Sequence, residues 1–367
     1  MKRIVCTVTT DLNYDQRMIR ICSSLAKAGY DVTLVGRKRD FSNDLQTRNF
    51  KQKRLNGWFE SGFFFYAEYN IRLFLHLWRE RYDIINAVDL DSILPGYLVS
   101  RLRKTPIVYD AHEYFTEQEE IVKRPLIKRF WKWVEQVTVP RIKYGYTVSK
   151  GYADLFEREY NVHYQIVRNV TLLQKLPRVE TSDIPFILYQ GAVNKGRGLE
   201  VLVEAMQYIE GYKLCICGLG DIYESLIKQT QQMGLDKKIK FLGYVQPDEL
   251  RSITAQASIG ITLFANDGLS HQHSLANRFF DYMHAGVPQV AMKYPEYEQF
   301  NEEHEVACLL EKLDVNQVVE ALQKLINDPA YYEHLRAQAL KARQVHCWQQ
   351  DEQTLLNVYE TLEANEA

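Results

Sequence analysis

The sequence predicts an α/β protein built from two Rossmann-like, doubly wound domains that face a central cleft. Short runs rich in Val and Ile alternate with helical patterns along the chain, which is typical of parallel sheets covered by helices on both faces. This alternation occurs twice, once in each half. A length of 367 residues exceeds the usual size of one domain, so two domains are expected.

Each half contributes five predicted strands. They are "RIVCTVTT", "YDVTLVG", "YDIINAV", "TPIVYDA" and "YGYTVS", followed by "PFILYQG", "YKLCICG", "KIKFLGY", "ASIGITLF" and "PQVAMK". The first helical pattern between them ends at Gly29. We expect an N-terminal domain at 1–170, a C-terminal domain at 171–345, a junction near Val170 to Asp183, and a final helix at 346–367 that crosses back to the first domain.

Composition narrows the class of protein. Hydrophobic residues make up 46% of the chain and charged residues 25%, as in ordinary globular proteins. No apolar run reaches the roughly 18 to 20 residues of a membrane-spanning helix, and the N-terminal run is too short for a signal peptide, so we expect a cytoplasmic protein. The six cysteines lack framework spacing, and Cys215 and Cys217 are interpreted as core residues of a strand.

The two halves differ in charge, because Lys and Arg are in excess in the first half and Asp and Glu in the second. The basic stretches 37–81 and 123–143 are interleaved with aromatic residues, Trp131 and Trp133 among them. Such a mixture fits an anionic membrane surface, and equally an amphipathic helix with solvated cations. No nucleic-acid module accompanies it, so nucleic acid is not expected as a partner.

Glycine-containing turns follow the strands of the second half, where ligands gather in parallel sheets. The first turn contains Gly191, Lys195 and Arg197, whose backbone amides and side-chain cations suit a phosphate. The same two cations are also typical of a solvated loop. The second turn contains Gly218 and Gly220 but lacks the third glycine of a dinucleotide fingerprint. These turns are candidate phosphate contacts.

A third candidate is the stretch "SLANRFFDYMHAGVPQVA". Its apolar positions recur at steps of three or four, which predicts a helix beginning at Ser274, with Leu275 and Ala276 in its first turn. Gly286 and Pro288 predict the end of this helix. The N-terminal amides of such a helix can bind a diphosphate. The predicted polar side of this helix contains Asn277, Asp281 and His284. From it, Asp281 can accept hydrogen bonds from a ribose diol.

The order of these motifs resembles the retaining glycosyltransferases of the fourth family, which have the GT-B fold. The donor half is represented by "KGRGLEVLVEAM", "CGLGD", "KFLGYVQPDEL" and "SLANRFFDYMHAGVPQVA", and the acceptor half by "DQRMIRICSSLAKAGYDVTLVG" and "VYDAHEYF". The resemblance covers essentially the whole chain. It implies transfer of a sugar, with retention of configuration, from a nucleotide-diphosphate sugar to a glycan or lipid-linked acceptor in cell-surface polysaccharide or glycoconjugate synthesis.

The resemblance also implies roles for single residues. His112 matches the catalytic-site histidine that touches the donor sugar near its reacting carbon, Arg197 the cation that neutralises the leaving diphosphate, and Asp281 the glutamate that holds the ribose. The donor-binding residues expected are Gly191, Lys195, Arg197, Gly218, Gly220, His273, Ser274, Leu275, Ala276 and Asp281. Those expected on the acceptor side are Asp11, Arg17, Asp91 and Glu113.

Three positions depart from the family pattern. The first glutamate of the Glu-x7-Glu pair falls on His273, and the second is the shorter Asp281. The arginine that often follows the first glycine is Ala192, and Lys195 is the cation available to replace it. The identity of the donor sugar can therefore not be inferred from common family members.

Two pairs of residues are candidate metal ligands. Asp89 and Asp91 form a D-x-D at a strand end, where acceptor contact or loop capping is favoured over a metal. His271 and His273 have three readings, as a polar sugar-facing loop, as metal ligands or as an inert surface loop. We expect no metal and no bound cofactor.

Two alternative functions stay open at this point. A nucleotide-sugar epimerase shares the architecture, and a non-catalytic nucleotide-sugar binder would explain the missing first glutamate. A basic, aromatic N-terminal domain would favour a peripheral position on the inner membrane face and a lipid-linked acceptor.

Overall fold

The structure is a computed structural model that describes residues 1–40, 42–177, 184–266 and 268–366. It divides into two compact units, one of Met1–Arg168 with Asp351–Ala367 and one of Asn169–Gln350. Part of the predicted junction, residues 178–183, lies outside the described residues. The predicted α/β class with two parallel sheets is confirmed.

Over its described residues, the first unit has a seven-stranded sheet in the order β3-β2-β1-β4-β5-β6-β7, and its paired strands run parallel. Its strands are β1 (Arg3–Thr7), β2 (Asp31–Arg37), β3 (Lys51–Leu55), β4 (Ile84–Val88), β5 (Ile107–Ala111), β6 (Tyr144–Thr147) and β7 (Gln165–Ile166). The strand order reverses between β1 and β4, which is where ligands gather in doubly wound sheets.

The helices of the first unit connect these strands. They are α1 (Gln16–Lys27), α2 (Gly62–Arg79), α3 (Asp89–Arg103), α4 (Glu119–Val122), α5 (Pro125–Thr138) and α6 (Lys150–Tyr160). The α1 helix is capped by Asp15, whose side chain accepts a hydrogen bond from the Met18 amide at 3.0 Å. Its buried face includes Ile21 and Leu25, as the apolar spacing predicts.

The second unit has a six-stranded parallel sheet in its described part, in the order β10-β9-β8-β11-β12-β13. Its strands are β8 (Phe186–Gln190), β9 (Lys213–Cys217), β10 (Ile239–Gly243), β11 (Ile259–Thr262), β12 (Gln289–Met292) and β13 (Ala307–Leu310). This order repeats that of the first unit, so the strand order again reverses, here between β8 and β11.

The helices after β8 are α7 (Leu199–Ala205), α8 (Tyr223–Gln232), α9 (Pro247–Gln256), α10 (Leu269–Gln272), α11 (Asn277–Ala285), α12 (Pro295–Glu303), α13 (Val315–Asn327), α14 (Pro329–Val345) and α15 (Trp348–Glu366). The last one begins in the second unit and continues into the residues that belong to the first. No helix of the described residues is both long and apolar enough to cross a membrane.

The predicted start of α11 is wrong. Ser274, Leu275 and Ala276 do not form its first turn, because the helix begins at Asn277 and Ala276 has extended backbone angles. The Ala276 amide donates to the Tyr297 hydroxyl at 3.0 Å, which holds this segment away from the helix. The predicted helix end is confirmed, since Gly286 closes α11 with φ of 69°.

Candidate active site

His112 directly follows β5 in the first unit. Its Nε2 lies 3.0 Å from Oδ2 of Asp110, and its Nδ1 lies 3.6 Å from Oδ2 of Asp89. Burial lowers the pKa of the imidazole, but the carboxylates of Asp110 and Asp89 outweigh this and raise it to about 9. The raised pKa favours the imidazolium form of His112 at neutral pH, and 18% of its side chain is exposed.

Asp110 and Arg17 form a buried ion pair beneath His112. An Nη atom of Arg17 lies 3.0 Å from Oδ1 of Asp110, and the other donates to the Val167 carbonyl at 2.9 Å. Burial would raise the pKa of Asp110, but Arg17 and His112 hold it below its ordinary value. Arg17, predicted on the acceptor side, is only 3% exposed and fixes the carboxylate that orients His112.

Asp89 and Asp91 begin α3, directly after β4. Asp89 has a φ of 53°, and its Oδ1 accepts a hydrogen bond from the His112 amide at 2.8 Å. Asp91 accepts one from the Thr9 hydroxyl at 2.6 Å. Burial raises the pKa of Asp89 to about 7 and that of Asp91 to about 6. A strained, non-glycine left-handed residue with a titratable carboxyl is typical of functional sites.

The two other residues predicted on the acceptor side have different surroundings. Asp11 is buried and pairs with Arg54 at 2.9 Å, while its second oxygen accepts from Ser42. Glu113 is exposed and accepts from Gln118. His112 thus contacts Asp89 and Asp110, and Arg17 joins this cluster through Asp110. Asp11 lies apart from it and is held by the loop and strand that follow β2.

In the second unit, the turns after β8 and β9 pack directly on each other. A Cβ on Gly218, which has a φ of 141°, would lie 1.8 Å from the Gly191 carbonyl oxygen. Side chains lock the two turns together, since Asn194 accepts from the Asp221 amide at 3.2 Å and Asp221 accepts from the Lys195 amide at 3.0 Å. The Lys195 amide is thus already bonded within the protein, while its side chain is exposed.

Gly220 is required for the same reason as Gly218. A Cβ there would lie 2.2 Å from Oδ1 of Asn194 and 2.3 Å from the Val193 carbonyl oxygen. The predicted glycines therefore permit the close approach of two turns, which fixes the backbone that carries Arg197.

Arg197 and Arg278 lie on the same aromatic ring. Their guanidinium carbons are 4.8 and 4.5 Å from the ring centroid of Phe264, which follows β11. Arg278, the second residue of α11, also lies 4.9 Å from the Tyr189 ring centroid and donates to the Leu263 carbonyl at 3.0 Å. The structure thus joins the predicted cation of the first turn to the beginning of α11.

Arg278 is a buried cation, with 7% of its surface exposed. Within the described part of the chain, no carboxylate lies within 4.0 Å of its guanidinium nitrogens, and its Nε has no hydrogen-bond partner. A Cβ placed on Gly191 would lie 3.5 Å from its Nη1, so the guanidinium reaches the turn after β8. An isolated buried charge is costly, and an anion would relieve that cost.

Asp281 is held by a chain of hydrogen bonds. Its two oxygens accept from the Thr171 hydroxyl at 2.7 Å and the Gln190 amide at 2.9 Å, and Gln190 in turn accepts from the Thr254 hydroxyl at 2.7 Å. The prediction of a continuous polar side on this helix is wrong at His284, which is buried. Asp281 itself is half-buried and fixed in orientation.

The residues between α10 and α11 form an irregular segment. His273 is half-buried there, and His271 lies with its ring 5.0 Å from that of Phe264 and its Nδ1 3.4 Å from the Ala265 carbonyl oxygen. His271 of α10, just before this segment, therefore borders the ring that both arginines contact.

Comparison with known protein families shows the family to which this chain belongs. Residues 16–169 match the family described as Glycosyltransferase Family 4, and residues 174–342 match Glycosyl transferases group 1. The two matches together span most of the chain. The chain belongs to the group 1 glycosyltransferases.

An uncharacterised glycosyltransferase of Methanocaldococcus jannaschii is 34% identical to this glycosyltransferase over 80 residues. The match covers 21% of this chain and 20% of that protein, so the chain spans about a fifth of the relative's length.

Solved structures show the fold. This glycosyltransferase is similar to sucrose-phosphate synthase from Thermosynechococcus elongatus, with a TM-score of 0.83, 17% identity and 100% coverage of both chains. It is similar to HepE from Anabaena, solved with UDP and glucose, with a TM-score of 0.77, 13% identity and coverage of 98% and 100%. It is also similar to WaaG, a glycosyltransferase involved in lipopolysaccharide biosynthesis, with a TM-score of 0.70, 14% identity and coverage of 97% and 99%. The predicted GT-B fold is confirmed.

The sequence pattern assigns no role to two charged residues of this glycosyltransferase. Asp110 lies in a strand whose other residues are buried and apolar, and Arg278 lies four residues before the buried Tyr282 on the core side of α11. A charge on an apolar face is the signal that would have identified both.

Proposed function

We propose that this glycosyltransferase transfers a sugar from a nucleoside-diphosphate sugar with retention of configuration. The observation that carries the proposal is the pair of guanidinium groups on Phe264, those of Arg197 and Arg278, next to the turn after β8. Two cations in contact with one ring, one of them buried without a carboxylate partner among the described residues, favour a dianionic group such as a pyrophosphate.

The charges of the site suit the departure of a diphosphate. Breaking the bond between the sugar and the phosphate builds negative charge on the leaving oxygen. Arg197 and Arg278 are held in place by aromatic rings, so they stabilise that charge without reorganising in the transition state. Asp281, fixed by Thr171 and Gln190, is assigned to the ribose hydroxyls. Retention of the anomeric configuration is proposed because the family resemblance implies it.

The cluster of His112, Asp110 and Asp89 in the first unit is assigned to the sugar and to the acceptor hydroxyl. We assign His112 to the reacting sugar, as the family resemblance implies, with its imidazolium held by Asp110 and Asp89. An acceptor hydroxyl must lose its proton when the new glycosidic bond forms. Asp89, whose pKa burial raises to about 7, is suited to accept that proton near neutral pH.

A screen of nucleotide sugars tests the proposal. Purified protein is incubated with UDP-, GDP-, ADP- and CMP-sugars, UDP-sugars first because HepE was solved with UDP. Mass-resolved products are then followed. We expect slow hydrolysis of one donor to free sugar and nucleotide, accelerated by a glycan or lipid-linked acceptor. Recovery of an intact sugar isomer would indicate an epimerase, and an unchanged but bound donor a non-catalytic binder.

We further propose that the protein acts peripherally at an anionic membrane and uses a membrane-linked acceptor in cell-surface glycan synthesis. The surface concerned, called here the aromatic basic face, surrounds the beginnings of α2 and α5. Tyr66 of α2 and Trp131 of α5 are in ring contact at 5.6 Å, so the two helices adjoin. Its exposed apolar residues are Trp58 (83% exposed), Phe63 (70%), Phe64 (63%), Leu126 (83%), Phe130 (43%) and Trp133 (53%).

Cations adjoin the α5 members of this face in the sequence, among them Lys123, Arg124, Lys128 and Arg129. The double variant Phe63→Ser, Leu126→Ser is expected to bind vesicles containing phosphatidylglycerol about tenfold more weakly or worse, because each side chain loses its burial in the lipid interface. Vesicle co-sedimentation measures the change. Wild-type binding should also weaken with salt.

The matched control is Tyr208→Ser, which removes an aromatic side chain that is 57% exposed in the second unit. Equal loss in the control, or undiminished binding of the double variant, would contradict a membrane role for the aromatic basic face.

A further inference from the structure

We propose that Glu303, His304 and His346 form a binding site for a divalent transition-metal ion of the zinc type. Glu303 is the last residue of α12, His304 follows it, and His346 follows α14. One carboxylate oxygen and two imidazole nitrogens from these residues lie within 4.8 Å of one another. None of the three residues contributes to the proposed donor site, so this inference is independent of the proposed reaction.

The distances suit a tetrahedral ion. Oε1 of Glu303 lies 3.7 Å from Nε2 of His304 and 3.6 Å from Nε2 of His346. Zinc bonds of about 2.0 to 2.1 Å in a tetrahedron place ligand atoms about 3.4 Å apart. The two distances to Glu303 therefore need movements of a few tenths of an ångström, and the imidazole nitrogens of His304 and His346, which lie within 4.8 Å of each other, would approach to the same separation on binding. Two imidazoles and one carboxylate also match the donor types that zinc prefers.

The surrounding structure positions the ligands before an ion binds. The His346 ring packs on Phe300 with centroids 4.6 Å apart, and its backbone carbonyl accepts a hydrogen bond from His284 Nε2 at 2.9 Å. His304 borders the same ring at 6.5 Å. Such outer contacts fix ligand orientation and strengthen binding. Glu303 is 62% exposed on its side chain, which leaves room for a water as fourth ligand.

The position of the cluster also favours a cation. Both α12 and α14 point their C-terminal ends toward it, and helix C-termini carry partial negative charge. A bound ion would tie these two helix ends together shortly before α15 begins at Trp348. The ion would have a structural role, because it would stabilise the packing of these two helix ends in the second unit.

Zinc titration of the full chain tests the site. Protein freed of metal with a chelator is titrated with Zn²⁺ alone by calorimetry, and Co²⁺ is added separately to record its visible spectrum. We expect one saturable equivalent, a rise of Tm with Zn²⁺, and the intense absorption of tetrahedral Co²⁺. His304→Ala and His346→Ala should each weaken Zn²⁺ binding by about tenfold or more.

His334→Ala is the matched control, because His334 Nε2 pairs with Glu305 at 2.9 Å but lies outside the three-residue cluster. Glu303→Gln and His304→Ala alter the more exposed ligands, so they decide the question if the buried His346→Ala variant fails to fold by circular dichroism. Unsaturable binding in the wild type, or equal weakening by His334→Ala, would overturn the site.

Discussion

His112→Ala is expected to lower kcat by about 100- to 1000-fold while the Kd for the donor nucleotide changes by less than about twofold. The imidazolium of His112 is held by two carboxylates, and it is assigned to the reacting sugar rather than to the nucleotide. Its charge and its hydrogen bonds therefore act where bonds change. Steady-state kinetics with the donor identified in the screen, together with calorimetric titration of the nucleotide, separates the two effects.

His163→Ala is the matched control for this change. His163 also belongs to the first unit and pairs with Glu157 at 3.3 Å, but 71% of its side chain is exposed, and it should be kinetically silent. Unchanged turnover of His112→Ala, or equal losses of turnover and nucleotide affinity, would contradict the assignment of His112 to the reacting sugar.

The pH profile gives a second measurement on the same residue. The carboxylates of Asp110 and Asp89 raise the folded-state pKa of His112 to about 9 against the lowering by burial, while its ordinary value is 6.5. The imidazolium therefore stabilises the fold fully below pH 6.5, and that contribution is lost as pH rises through about 9. We expect kcat to fall over the same upper range in the wild type. His112→Ala should lack this descending limb in its residual activity.

The strands that the sequence predicts are the buried ones. Ten apolar runs become strands of the two sheets, because a strand covered on both faces needs a continuous apolar sequence. The strand β3 has the sequence "KQKRL" and lies at the edge of its sheet, where charged side chains remain solvated. Two short strands, β7 and β13, were also not predicted. The two residues of β7 offer too little pattern to detect, whereas β13 is as long as β11 and β12 but lies at the edge of its sheet.

The candidate site was predictable only in part. Turn glycines and the helix stop at Gly286 follow from backbone geometry that few other residues adopt, so they can be read from the sequence. Just before the start of α11, the Ala276 amide donates a hydrogen bond to Tyr297, 21 residues away. The pairing of Arg17 with Asp110 joins positions 93 residues apart. Contacts of this kind arise from the packing of distant elements, which local spacing does not encode.

Arg278→Met is expected to weaken binding of the donor nucleoside diphosphate by about 30- to 150-fold, which corresponds to about 2 to 3 kcal/mol for a lost charge-assisted contact. Binding of the matching nucleoside, which lacks phosphate, should change little. The reason is that the Arg278 guanidinium is buried beside the turn at Gly191 without a carboxylate partner among the described residues. A diphosphate would be its counter-ion.

Stability distinguishes this role from a purely structural one. Methionine retains much of the arginine side-chain volume between Tyr189 and Phe264, and it removes a buried charge that burial penalises. We therefore expect the Tm of unliganded Arg278→Met to stay near the wild-type value or to rise, while nucleotide affinity falls. Arg336→Met serves as the control, since Arg336 is an exposed residue of α14 and should alter neither quantity. A lowered Tm with equal losses for nucleoside and nucleoside diphosphate would show instead that Arg278 supports the core, and the diphosphate would then need another anchor.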